Sequence, residues 1–238
     1  MKHFYSFAVG LSLFLAATPL QAKVFYVTTT GTGDGSSWTK ALGSIDDALA
    51  KATSGDEIWI AAGTYKPTQL IKSSKKNSRH FPLKDGVSLY GGFAGTETTK
   101  EARAKKEGGE AYEYVHETIL SADDDVADEW VRESNPENPF SYGWKVESNI
   151  IPGTKNNANH ILFKKEELTA PITIDGLTLK GANAMVYNVQ CSGGAIYAVG
   201  DVTITTCQFV ENSCYFTAEG NRDANGAAIY LEGKGKAK

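Results

Sequence analysis

The chain predicts an all-β fold: a right-handed parallel β-helix, that is, a solenoid, with a short N-terminal capping helix. Three features lead there. Segments match one another at offsets of 29 to 33 residues, each holds two short alternating runs split by an abrupt change of phase, and a stretch of helical periodicity stands directly before the first of them. Self-similarity at such a period marks stacked repeats, in which each unit buries its apolar face against its neighbours.

Superposing the segments shows the repeat. Ile172, Ile174, Leu177 and Leu179 coincide with Val202, Ile204, Cys207 and Phe209 at an offset of 30. Gly193-Gly194-Ala195-Ile196-Tyr197 coincides with Gly226-Ala227-Ala228-Ile229-Tyr230 at 33, and residues 58–63 coincide with 87–92 at 29. Strict alternation turns one face of each strand inward. The phase resets at Asp175-Gly176, a pair suited to the backbone angles of a sharp bend. Two bent strands and a third around Ala195-Ile196-Tyr197 describe a triangular coil, with strands of successive coils about 4.8 Å apart. Offsets this long leave protruding loops, for example residues 213–225. An antiparallel sandwich would need hairpin turns about every 8 to 12 residues, and Asp175-Gly176 lies too close to the phase reset to be one.

In chain order, residues 1–22 read as a secretory signal. Lys2 and His3 precede an apolar run from Phe4 to Ala17, and Thr18-Pro19-Leu20-Gln21-Ala22 ends on a small residue. An uncleaved anchor is the other reading, but the run is shorter than the about 20 residues of a spanning helix and stops at Pro19. No later segment is apolar enough to span a bilayer. Residues 23–65 form the N-terminal cap and first coil. Ser44 is the N-cap of a helix with Asp47 three positions on, Ile45, Ala48, Leu49 and Ala52 make its apolar face, and Gly55 ends it. Laid over one end of the solenoid, such a helix covers unpaired strand edges. Residues 66–160 hold a second coil with a long insertion, and 161–238 hold further repeats that read as truncated at the C-terminus.

Val24-Phe25-Tyr26-Val27, Gly33-Asp34-Gly35-Ser36-Ser37-Trp38 and Gly55 to Tyr65 resemble the opening of many bacterial β-helix proteins of the pectate-lyase-like superfamily. Gly193-Gly194-Ala195-Ile196 and Phe209-Val210-Glu211-Asn212 resemble the paired GGAI and FxxN motifs of the polymorphic outer-membrane protein repeat. The second copy, Gly226-Ala227-Ala228-Ile229, departs at one glycine, and no FxxN follows it. The resemblance covers most of the mature chain. It implies a protein secreted or held at the outer-membrane surface of a bacterium, serving adhesion or scaffolding. Locally, Gly193 and Gly194 allow a tight turn, Ile196 and Phe209 fill the interior, and Asn212 is placed to hydrogen-bond along stacked turns.

The chemistry divides two function classes. A net charge of −4 and pI near 5.6 argue against a nucleic-acid partner. The basic clusters Lys75, Lys76, Arg79 and 103–106 read as solvated loops. Cys191, Cys207 and Cys214 admit at most one internal pair and lack zinc-site spacing, so Cys191 and Cys207 read as small buried residues. The leading reading is a non-catalytic surface scaffold without cofactor or metal, contacting an extracellular polysaccharide or a cell-surface protein. The alternative, which the superfamily implies, is a polysaccharide lyase or glycoside hydrolase acting on an acidic polysaccharide. A lyase needs a base and a cation against the uronate carboxylate. Its candidates are Arg79-His80, in a loop between coils, and the acidic run Asp123, Asp124, Asp125, Asp128 and Glu129, which lacks calcium-loop spacing. For hydrolysis the paired carboxylates would be Asp175 and Glu211. Trp130, Phe140, Tyr142 and Trp144 lie in an insertion spanning residues 96–159; Trp130, Tyr142 and Trp144 are candidate carbohydrate contacts, with packing onto the coil as the other reading. The last coil, around Ile229, has a neighbour on one side only, so end-to-end self-association is expected there.

Overall fold

The computed structural model describes residues 22–125, 132–135, 138–144, 157–185, 191–215 and 224–233. The export signal before Ala22, Asp128, Glu129, Trp130 and the lysines at 234, 236 and 238 lie outside these residues. The side chains of Tyr142, Trp144 and Cys191 do as well.

Alternation of apolar and polar residues makes strands here, and among the described residues one α-helix interrupts them, so the protein is all-β with parallel sheets. Sheet 1 joins Val24–Val27, Glu57–Ala61, Ser88–Phe93, Ile172–Asp175 and Val202–Thr205 in that order. Sheet 2 joins Gly63–Tyr65, Thr118–Ser121, Leu177–Lys180 and Gln208–Val210. Sheet 3 joins Gln69–Leu70, Arg79–Pro82, Leu162–Glu167, Ile196–Val199 and Ile229–Glu232. Every pairing in the three sheets is parallel except that of Gln69–Leu70 with Arg79–Pro82. From Glu57 onward the chain visits sheets 1, 2 and 3 in turn, four times over, and each visit is here termed a tier.

The pairing registers are Ile172 to Val202, Leu179 to Phe209, and Ile196 to Ile229. Ile58, Ile60, Leu89, Ile172, Ile174, Leu177, Leu179 and Ile196 point inward into one buried cluster. In the last tier Val202, Ile204, Phe209 and Ile229 are only partly buried against it. Burial of this kind stabilises by about 25 cal/mol per Å² of apolar surface, so the inner tiers gain most.

One register differs from the sequence reading. Ile58 pairs with Leu89 and Trp59 with Tyr90, an offset of 31 rather than 29. Alternation has period two, so a slip of two residues keeps every side chain on its own face. The turn decides between them: Gly55 N–H donates to Gly86 O at 2.8 Å.

The helix Ile45–Lys51 begins where Ser44 Oγ accepts from Asp47 N–H at 3.3 Å, and it buries Ile45, Ala48 and Leu49. It ends at Ala52, before the expected Gly55, because Thr53 and Asp56 bind each other in a tight turn. Lys84 Nζ reaches across to donate to Leu49 O (2.9 Å) and Ala52 O (2.5 Å), a cation on the last carbonyls. The outer edge of Val24–Val27 is covered by a loop, not by the helix: Tyr26 N–H donates to Gly35 O (3.0 Å) and Thr28 N–H to Leu42 O (2.9 Å).

Three other segments depart from expectation. Arg79 and His80 lie in the strand Arg79–Pro82 of sheet 3, not in a loop. Thr118–Ser121 is a strand of sheet 2, inside the stretch read as an insertion. An inward polar residue disguised it: buried Thr118 accepts from Gly92 N–H (2.9 Å) and donates to Ile60 O (3.0 Å). Residues at both ends of the expected loop 213–225 continue the parallel pairing, Ser213–Tyr215 on Asn183–Met185 and Ala224–Asn225 on Cys191–Ser192.

Candidate functional site

The motif residues lie where tiers meet. Asn212 follows the sheet 2 strand Gln208–Val210 and reaches back to the preceding tier. Its Oδ1 accepts from Ala182 N–H at 3.0 Å, and its Nδ2 donates to Leu179 O at 2.8 Å. Asn157 makes a related link in the other direction: Nδ2 donates to Gly181 O of the following tier (2.8 Å), and Oδ1 accepts from Asp124 N–H of its own tier (3.2 Å).

Gly193 N–H donates to Gly226 O at 2.9 Å, and both glycines take positive φ, 63° and 65°. Gly194 has a different constraint. A Cβ there would stand 2.4 Å from Ala227 O and 2.8 Å from Ser213 O. Ala227, one repeat later, is exposed in the outermost tier. That explains the departure of the second copy from GGAI. Ala195 and Ile196 are fully buried, and Phe209 and Ile229 pack against the core from the last tier.

The lyase candidates are brought together in part. Arg79, at the start of its sheet 3 strand, lines a cleft of ≈ 280 Å³ with Lys66, Pro67, Ser121 and Asp123 to Asp125. Lys66 Nζ lies 2.5 Å from Asp125 Oδ2, and Asp123 Oδ1 accepts from Asp125 N–H at 2.7 Å. His80 faces elsewhere: it packs edge-on to Phe163, its ring held below the usual histidine range chiefly by burial. Among the described residues no three His, Cys, Asp or Glu side chains converge to hold a metal.

The hydrolase candidates sit at different corners. Glu211 follows a sheet 2 strand and pairs with Lys180 at 3.2 Å. Asp175, at the corner from sheet 1 to sheet 2, is nearly buried. Its Oδ1 accepts from Arg103 Nη1 at 2.5 Å, and its Oδ2 accepts from Thr205 Oγ1 (2.5 Å) and Thr206 Oγ1 (3.0 Å). Burial alone would raise this carboxyl, but the hydrogen bonds and the guanidinium outweigh it and hold it below the ordinary value. Thr206 is a β-branched residue at φ 46°, the position that Gly176 fills one tier earlier at φ 70°. Its hydroxyl contacts Asp175 and Tyr114 Oη (3.3 Å), which offsets that conformation.

Arg103, read from the sequence as part of a solvated basic loop, is instead nearly buried against Asp175, with its side chain 10 % exposed. It lies in a strap, residues 94–117, across the outer face of sheet 1. There Arg103 stacks on Tyr114 (4.7 Å), Lys100 meets Glu57 (2.6 Å), and Trp38 Nε1 donates to Glu97 O (2.8 Å). Beneath the strap run Tyr26, Trp59 and Phe93, with Trp59 stacked on Phe93 at 4.8 Å. No local pattern signals such a contact.

A second aromatic row on the outside of sheet 3 was legible in the repeat, since Tyr197 and Tyr230 share the 33-residue offset. His160 stacks on Phe163 (4.9 Å), Phe163 meets Tyr197 (5.2 Å), and Tyr197 stacks on Tyr230 (5.0 Å). His160 Nδ1 lies 2.8 Å from Gly193 O, and burial lowers its pKa to about 4. Cys207 is half-buried, its thiol raised to about 11 by desolvation, so it is no nucleophile at neutral pH.

Of the candidate carbohydrate contacts, Tyr142 and Trp144 belong to the antiparallel hairpin Arg132–Asn135 with Asn138–Trp144, paired opposite Ser134 and Arg132. Compared with known protein families, curated proteins and solved structures, the chain matches none.

Proposed function

We propose that the three sheets wind as one right-handed parallel β-helix, exported as a non-catalytic scaffold at a bacterial surface. The observation that carries this reading is Asn212. The most motif-like polar side chain in the chain spends both its amide groups on the backbone of the preceding tier, so its role is to lengthen and stiffen a stack. Asn157 adds one such bond, to Gly181 O of the following tier, and the loop paired with Val24–Val27 covers the N-terminal edge. The outer faces then serve contact with an extracellular polysaccharide or a cell-surface protein. The strands Val202–Thr205, Gln208–Val210 and Ile229–Glu232 are sheet edges among the described residues, and end-to-end association through them belongs to the same proposal. The test is to incubate the protein with pectate, alginate and glycosaminoglycans, with and without calcium, while following ultraviolet absorbance and binding together. Binding without unsaturated product supports the scaffold.

A lyase or glycosidase is the second reading, favoured by the cleft that gathers Lys66, Arg79 and Asp123 to Asp125. Product formation that disappears in Arg79→Ala would establish it and end the scaffold proposal.

A further inference from the structure

We infer that the hairpin 68–79 is a lipid-contacting loop, which seats Leu70 and Ile71 in the headgroup layer of an anionic membrane surface. Its lysines face the lipid phosphates. The inference rests on the export reading only for which membrane the loop meets.

Charge comes first. The chain is acidic overall, at −4, yet residues 58–84 contain six Lys and Arg and no Asp or Glu. Two of those cations belong to the cleft already described, where Lys66 is held by Asp125. Lys72, Lys75 and Lys76 are exposed on the hairpin itself. The acids near the hairpin lie at its base: Asp46 accepts from Thr68 N–H (3.2 Å) and Thr68 Oγ1 (2.5 Å), and Asp123 to Asp125 share the cleft with Arg79.

Apolar exposure comes second, and it falls at the same place. Leu70 and Ile71 are 40 % and 43 % exposed, although the aliphatic side chains of the inner tiers that face the core are buried; Leu231, in the last tier, is exposed to the same extent. Tyr112 and Val115 have the opposite setting, in a segment with Glu107, Glu110, Glu113 and Glu117, and Leu231 stands singly beside Glu232. An exposed aliphatic pair followed by three lysines is what an interfacial anchor requires, because apolar insertion and electrostatic attraction are each weak alone.

The loop is also built to hold that arrangement. Leu70 pairs with Arg79 and Gln69 with His80 across the antiparallel strands, and Ile71 N–H donates to Ser78 O at 3.1 Å. Buried Ser78 accepts through Oγ from Lys72 N–H (3.0 Å) and donates to Lys75 O (2.7 Å), while Lys75 N–H donates to Lys72 O (2.9 Å). Leu70, Ile71 and the lysines therefore belong to one hydrogen-bonded hairpin, which lowers the conformational entropy lost on docking.

A soluble polyanion would use the lysines but has no use for Leu70 and Ile71, which favours a lipid surface over a polysaccharide. The experiment measures co-sedimentation of the exported, processed protein with vesicles of phosphatidylcholine containing about 30 mol % phosphatidylglycerol, and with phosphatidylcholine alone. Soluble polygalacturonate serves as the competing ligand. Binding is expected to the anionic vesicles only and to weaken as salt rises. The triple variant Lys72→Gln, Lys75→Gln, Lys76→Gln should lose about a hundredfold in affinity, roughly fivefold per lysine. Leu70→Ser with Ile71→Ser should lose about tenfold on vesicles and nothing on polygalacturonate. All five positions are exposed, and far-ultraviolet circular dichroism confirms that the variants fold. No vesicle binding overturns the inference. So does vesicle binding that the Leu70 and Ile71 changes leave intact, or binding to polygalacturonate alone. Sequencing the N-terminus separately tests export: a chain that keeps residues 1–22 defeats that reading without touching the variant comparison.

Discussion

Asn212 offers the sharpest test of how the tiers are held together. In Asn212→Ala the Ala182 N–H and the Leu179 carbonyl lose their side-chain partner, and both residues are fully buried. An orphaned buried backbone group costs about 1–3 kcal/mol, so the pair should cost about 2–4 kcal/mol. Asn212→Asp separates the two bonds. Its carboxylate still accepts from Ala182 N–H, but its second oxygen faces the Leu179 carbonyl where the amide donated at 2.8 Å. Repulsion there raises the pKa of the new carboxyl above its unfolded value. The favourable contribution of its protonated form is present below the unfolded pKa and is lost as pH rises through the folded one. The loss relative to the parent should therefore be larger at pH 7 than near about pH 4, where the protonated group donates again. Urea unfolding followed by circular dichroism, with parent and both variants at each pH, reads this directly. A cost below about 0.5 kcal/mol for Asn212→Ala, with a pH-independent deficit for Asn212→Asp, would refute the role assigned to the side chain.

Gly194→Ala should cost about 3 kcal/mol or more, since the new Cβ meets two backbone carbonyls, whereas Ala227→Gly at the matching exposed position should cost less than about 1 kcal/mol. Equal effects in denaturant titration would show that Gly194 is not clasped between tiers. Arg103→Met should cost about 3 kcal/mol, because it leaves the Asp175 carboxylate with only two hydroxyl partners. It should also loosen the strap, read as faster hydrogen exchange at residues 100–115; unchanged exchange there would mean that the strap is held by other contacts. In the parent, burial of His160 depresses its folded pKa to about 4. The unfolded state then binds the extra proton, so stability is present above about pH 6.5 and falls by about 2–3 kcal/mol towards pH 4. His160→Gln should flatten that slope, and an unaltered pH profile would assign the acid sensitivity elsewhere.

How much of this was legible depends on the range of each signal. The turn at Asp175-Gly176, the N-cap at Ser44, and the inward sets around Ile172 and Leu177 depend on neighbours within a few residues, and the sequence shows them plainly. Tyr197 and Tyr230 were equally visible, because a ladder in parallel sheets repeats with the tier. Thr118 was not, because a buried hydroxyl satisfied by Gly92 and Ile60 reads as polar and breaks the alternation. Arg79 was misplaced by the lysines, serine and asparagine before it, which do form a loop, although the strand begins at Arg79 itself.

By itself the sequence determined which face of the repeat strands around 172–179 and 202–209 turns inward, where the chain bends between them, and that its segments are equivalent at about 30 residues. Side-chain direction alternates along a strand, and a bend needs residues that tolerate it, so both are local consequences of residue type. The tertiary structure decided the register of Ile58 on Leu89, the strap that brings Arg103 to Asp175, and the meeting of Arg79 with Asp123 to Asp125. It also decided the exposed setting of Leu70 and Ile71 beside three lysines. A period of two fixes parity but not position, and Arg103 and Asp175 are 72 residues apart in sequence. Such pairs carry no local pattern, because each partner is stabilised only when the chain has already brought the other to it.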